Sequence, residues 1–363
     1  MNNRKLVLEN GKVFEGIGFG SLNEKVAEII YNTAIVGYQE MISDPAYCNQ
    51  MVCMSYPLIG NYGLTDEDYE SKRINISGMI VREYNDMPSN FRYTRTLGEV
   101  LEENDVVGIS GVDTREIIRI IRDNGSMKAL ICDIDKPLDE CIKILNEYQK
   151  PTNAVAEVSS KKVWYSRTPN PKYNVVVIDC GIKLNLIKKL NQAGCNVVVV
   201  PYNTSVEEML KYKPNGFLIS NGPGNPYDLN EIIENIRSLV EKKPILGIGL
   251  GCELIGIAYN VKVSKMKCGH HGSNYPVKNI KTGKVEITSQ NYSYAFDEES
   301  IQQSDLVITR VNVITKEIEG ISDVNNGVIG IQYEPNTPID ENSEDIIKDF
   351  VEKMRKLGGK RHA

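Results

Sequence analysis

Pro244-Ile245-Leu246-Gly247-Ile248-Gly249-Leu250-Gly251-Cys252-Glu253 sets an apolar run against a glycine at every second position, and a helical pattern (Leu254, Ile255, Ile257, Ala258) follows at once. This reads as a buried strand, a tight turn and a helix start. The spacing is that of a nucleophile elbow, Gly-x-nucleophile-x-Gly. The flanking glycines let the chain double back, and one side chain stands over a helix N-terminus. Here that position is Gly249. An elbow without a nucleophile is the question the rest of the chain has to answer.

Upstream, strands and helices alternate. Val175–Asp179, Val197–Pro201, Gly216–Ser220 and Ile245–Ile248 read as strands. Lys183–Ala193, Ser205–Lys211 and Leu229–Lys242 read as the helices between them. Such alternation implies an α/β unit with a doubly wound, mostly parallel sheet. Sites in these sheets lie at the C-terminal strand ends, where the Gly222-Pro223-Gly224 loop and the Gly249 elbow both fall. Residues 1–150 lack that rhythm and read as an α+β domain. It opens with a hairpin turning at Asn10-Gly11 and carries an amphipathic helix from N-cap Asp113 to Gly125. Residues 151–172 are polar and proline-rich (Pro151, Pro169, Pro171) and read as a linker, leaving 173–363 as the second domain.

The chain has 363 residues, enough for two domains with sizeable cores. A net charge of −6 argues against a nucleic-acid surface. No apolar run reaches membrane-spanning length and no signal-peptide core appears, so a cytoplasmic protein is expected. None of the eight cysteines forms a C-x-x-C pair, so no metal site is expected and the thiols read as reduced. Histidine is the usual base for a thiol or hydroxyl nucleophile, and only His270, His271 and His362 exist.

From Leu6 to about Lys356 the chain resembles the small subunit of carbamoyl phosphate synthase. The matching runs include Gly37-Tyr38-Gln39-Glu40, Tyr56-Pro57-Leu58-Ile59-Gly60-Asn61-Tyr62-Gly63 and Gly111-Val112-Asp113-Thr114-Arg115. In the second domain they include Asp179-Cys180-Gly181-Ile182-Lys183-Leu184-Asn185, the oxyanion-loop run Ser220-Asn221-Gly222-Pro223-Gly224-Asn225-Pro226 and the hairpin Met266–Val277. The resemblance implies a class I glutamine amidotransferase domain. In that family an elbow cysteine attacks the glutamine amide, a histidine serves as base and acid, and a glutamate orients it. Ammonia then passes to a large synthetase subunit, which makes carbamoyl phosphate for arginine and pyrimidine synthesis. ATP and magnesium would belong to that partner, so no cofactor is expected in this chain.

The catalytic run departs from the family. The nucleophile position falls on Gly249, the base on Glu334 and the orienting acid on Asn336. Glycine has no nucleophile, and a carboxylate beside an asparagine does not reproduce an oriented imidazole. Of the implied substrate-binding positions, Gly222, Gly224, Leu250 and Asn291 match. Glu253 replaces a glutamine, Ser293 and Tyr294 replace a Gly-Phe pair, and Ala46 replaces a serine. Three readings follow. The chain is a catalytically silent scaffold or regulatory subunit for the large subunit, with L-glutamine a doubtful ligand. Alternatively it is a non-hydrolysing glutamine or metabolite sensor, or a weak amidase using Cys252 near the elbow helix N-terminus. Histidines 270 and 271 lie in the hairpin, where the family also carries a histidine, and are not spare bases.

Overall fold

The computed structural model describes residues 3–335 and 345–360, with side chains through residue 357. Asn336 and His362 lie outside the described residues. The chain divides into two compact units, Met1–Thr152 with Met266–Gly272, and Asn153–Lys265 with Ser273–Ala363.

In the first unit seven strands close into a barrel, in the order Asn3–Leu8, Val13–Gly20, Val107–Ser110, Gly78–Ile80, Gln50–Met54, Lys25–Asn32 and Met127–Asp133. Closure leaves no sheet edge unpaired. The alternating residues Leu6, Leu8, Ile29, Met51, Ile80, Ile109, Ala129 and Ile131 are buried together. The expected helix appears as Thr114–Asn124, with Asp113 Oδ1 accepting from the Glu116 N–H (3.0 Å) and Gly125 ending it at φ 95°. Ile117 and Ile121 face the core, while Arg115, Arg119 and Arg122 are exposed. The α+β expectation describes this unit; the barrel closure was not foreseen. Ala46 sits here, in the short 3-10 turn Pro45–Tyr47.

The second unit is built on a ten-stranded sheet. Cys195–Pro201, Tyr173–Asp179, Gly216–Ile219, Ile245–Ile248 and Val328–Ile331 lie side by side and parallel. Their faces are nearly continuous Val, Ile and Leu, as a sheet covered on both sides requires. From Val328–Ile331 outward the sheet continues antiparallel through Ile318–Asp323 and Val307–Asn312.

The linker expected over 151–172 is corrected. Trp164–Ser166 pairs antiparallel with Val197–Val199 as the edge strand of this sheet. Helix Ala154–Val158 buries Val155 in the core below it. The prolines at 169 and 171 occupy only the turn that follows, before Tyr173–Asp179. Proline cannot donate to a ladder, so a strand ending before it at the edge breaks no rule.

Candidate active site: a vacant elbow and a filled acceptor cradle

Strand Ile245–Ile248 ends at Gly249, and helix Leu250–Ala258 starts directly after it. Gly249 has φ 53°, ψ −116°. An L-residue held there is strained by about 1–3 kcal/mol, and glycine is not. The other two glycines of the run serve packing. A Cβ on Gly247 would lie 2.5 Å from the Gly251 carbonyl oxygen, and one on Gly251 would lie 2.2 Å from that of Ile219. The helix can therefore begin hard against the sheet only because both lack side chains.

Neighbouring strand ends bring the rest of the site. The Gly249 N–H donates to the Ile331 carbonyl (2.8 Å), tying the elbow to the strand that leads to Glu334. The Glu334 N–H donates to the Ser289 carbonyl (2.9 Å), which fixes Glu334 against strand Val285–Phe296. That strand is held from beneath by Glu319, fully buried, whose Oε1 accepts from Gln290 Nε2 (2.8 Å), Tyr292 Oη (2.8 Å) and Asn312 Nδ2 (3.2 Å). Asn291 lies between two of these anchors. Asp179 Oδ1 accepts the Gly181 and Ile182 N–H groups, shaping the turn that delivers Lys183 to the start of helix Leu184–Gln192.

Three side chains meet at the vacant position. Asn221 Oδ1 accepts from the backbone N–H of Gly222 (2.8 Å) and of Leu250 (3.0 Å). Its Nδ2 donates to Glu334 Oε1 (3.2 Å) and to the Asn291 carbonyl (3.4 Å). Two donors on one atom and two acceptors on the other fix the orientation of the carboxamide. Glu334 Oε1 also pairs with Lys183 Nζ (3.2 Å), both side chains being less than one-fifth exposed (16% for Lys183, 18% for Glu334). So the carboxylate at the base position is already neutralised. No imidazole stands there to take a proton and return it.

The Gly222 and Leu250 N–H groups and the Asn291 carbonyl thus share one carboxamide, that of Asn221. Gly224, at φ 99°, belongs to the same loop, and a Cβ on it would meet only Ala154, at 3.6 Å. Ser293 and Tyr294 lie half-buried on strand Val285–Phe296. The Tyr294 carbonyl accepts from Gln332 Nε2 (3.0 Å). Lys183 and Asn221 were not singled out from the sequence. Both stand inside quoted runs, but their roles depend on rotamers and on partners far along the chain.

Cys252 does not face this space. It is fully buried, and a Cβ on Gly330 of the neighbouring strand would lie 2.7 Å from its Sγ. Burial pushes its thiol well above the ordinary value, and Glu253 and Glu319 push the same way. A thiolate is the nucleophilic form, so this site suppresses it. The helix terminus does not compensate, because the sulfur points into the sheet.

Glu253 is also buried, and burial pushes its carboxyl up to about 8, offset in part by a hydrogen bond from Gln332. For an acid raised in the folded state, the folded chain keeps a proton that the unfolded chain has lost. Stability is then greatest below the unfolded value near 4.5 and declines as pH rises through 8. Glu253→Gln keeps the shape and removes the titration. Its melting temperature should match the parent near pH 5 and exceed it by several degrees at pH 9. Parallel pH profiles for the two proteins would show that residue 253 is not the buried acid.

A class I amidotransferase fold whose strand-turn-helix elbow carries no side chain is what this geometry defines. Comparison with known proteins agrees on the fold and extends it. Residues 6–131 match the family model for the carbamoyl-phosphate synthase small chain, CPSase domain, and residues 176–354 match glutamine amidotransferase class-I. The carbamoyl phosphate synthase pyrimidine-specific small chain of Halalkalibacterium halodurans is 42% identical over 97% of this chain and 97% of its own. That of Bacillus subtilis is 42% identical over 96% and 95%. The carbamoyl phosphate synthase small chain of Fusobacterium nucleatum is 43% identical over 92% and 93%. The chain belongs to the carbamoyl phosphate synthase small-chain family. Among the described residues no helix is long and apolar enough to cross a membrane.

Proposed function

We propose that this chain takes the small-subunit place beside a large carbamoyl phosphate synthase subunit in the cytoplasm but does not hydrolyse glutamine. It acts as a silent scaffold that holds the partner in a state fed by free ammonia. ATP and magnesium would be bound by the partner. The names of two relatives favour pyrimidine over arginine synthesis. The observation carrying this reading is Gly249: the elbow keeps its backbone geometry and has no atom that could attack an amide. The Lys183–Glu334 pair supports it, since the base position is spent on charge neutralisation.

Co-purification with a large synthetase subunit, followed by carbamoyl phosphate assays with glutamine or ammonia as nitrogen donor, tests it. Ammonia should support synthesis, and glutamine should give no more than the partner alone. Glutamine turnover at the rate of relatives with an elbow cysteine would sink the proposal.

A further inference from the structure

The acceptor cradle is not empty. We propose that the Asn221 carboxamide is a built-in occupant of that cradle, standing where the side-chain amide of glutamine would sit and closing it to any external carboxamide. This rests on the reading above, in which the elbow carries no nucleophile, and adds what has taken its space.

The geometry is that of a bound primary amide. Its oxygen accepts from the Leu250 and Gly222 N–H groups (3.0 and 2.8 Å), the pair that would stabilise an oxyanion. Its nitrogen is turned toward residue 334, the position from which a departing amine would be protonated. Asn221 is 5% exposed, so this is an enclosed contact. It depends on the glycine: a Cβ at position 249 would lie 2.2 Å from Asn221 Oδ1 and 2.4 Å from its Cγ. A side chain at the elbow and the Asn221 amide in the cradle exclude one another.

There is a physical reason for the amide to settle there. Leu250 is at the first helical position, where the N–H has no partner within the helix. It is buried (2% exposed), and a buried N–H without an acceptor is costly. With no elbow side chain in the way, Asn221 supplies that acceptor.

The test uses the full-length chain and L-glutamine as the carboxamide probe, with affinity read by titration calorimetry. Asn221→Ala empties the cradle and should bind glutamine at least tenfold more tightly than the unchanged chain. Equal affinities, or no binding by the folded variant, overturn the proposal. A melting cycle covers the case in which Asn221→Ala folds poorly. Gly249→Ala should lower the melting temperature of the unchanged chain clearly more than it lowers that of Asn221→Ala. Equal shifts in the two backgrounds would mean that the two positions do not compete for one space, and would overturn it. The silent reading fails on a different measurement, glutamine turnover by the unchanged chain, so the two can be told apart.

Discussion

Gly249→Cys alone leaves glutamine hydrolysis at background. The new thiol would stand at the N-terminus of helix Leu250–Ala258, where the peptide dipoles favour a thiolate. It should therefore alkylate with iodoacetamide. Turnover needs more: a proton has to reach the departing nitrogen, and that step contributes roughly 10²–10⁴-fold. Glu334, engaged by Lys183 and by Asn221, both at 3.2 Å, stands where an imidazole would be needed for that step. The substitution also meets Asn221 Oδ1 at 2.2 Å and a φ of 53°. It should cost about 1–3 kcal/mol of stability from the strain alone. Glutamate release in the complex with the large subunit measures the first expectation, and urea unfolding the second. Substantial turnover by this single variant would mean that a residue other than Glu334 serves as acid and base.

Gly251→Ala should damage the second unit far more than its chemistry suggests. In an exposed helix the change would gain about 1 kcal/mol of helix propensity. Here the added methyl would sit 2.2 Å from the Ile219 carbonyl oxygen and 3.0 Å from the Ile219 Cβ. The obstacle is sheet backbone, which no rotamer change can move aside. Helix Leu250–Ala258 has to lift off strand Gly216–Ile219, opening a core that includes Leu254, Ile255 and Phe217. Overpacking of this kind costs about 1–3 kcal/mol, and more where the backbone must give. A net loss of about 3 kcal/mol is expected, read as a lower urea midpoint for the second unit. The first unit's midpoint should stay unchanged. An unaltered second-unit midpoint would mean that the helix does not begin where it is described.

The elbow was legible because its signal is local. Three glycines at alternate positions after an apolar run have few other uses, and each has a contact that explains it. The alternating strands and helices of the second unit were legible for the same reason, as was helix Thr114–Asn124, whose capping residues are neighbours in sequence. Trp164–Ser166 was not. Its strand character comes from pairing with Val197–Val199, and the prolines that follow it argued for a linker. Barrel closure joins Asn3–Leu8 to Met127–Asp133, a pairing that no local pattern encodes. In the site, the glycine at the elbow could be read directly. The contacts of Asn221 could not: they depend on its rotamer and on partners at positions 250, 291 and 334.

The segment Met266–Gly272 belongs to the first unit although it follows most of the second in sequence. Within the first unit, the Ser126 and Thr33 N–H groups donate to the carbonyls of Lys267 and His271, both at 3.1 Å. During synthesis these donors emerge long before their acceptors. Roughly 110 residues separate the end of the first unit's main segment from this strand, on the order of ten seconds at typical elongation rates. The seven barrel strands are all made by then, but the first unit lacks these two hydrogen bonds while the second sheet is being made. For this chain, the order of translation and the order of completion differ: the unit that begins first cannot finish until the unit that begins second is well under way.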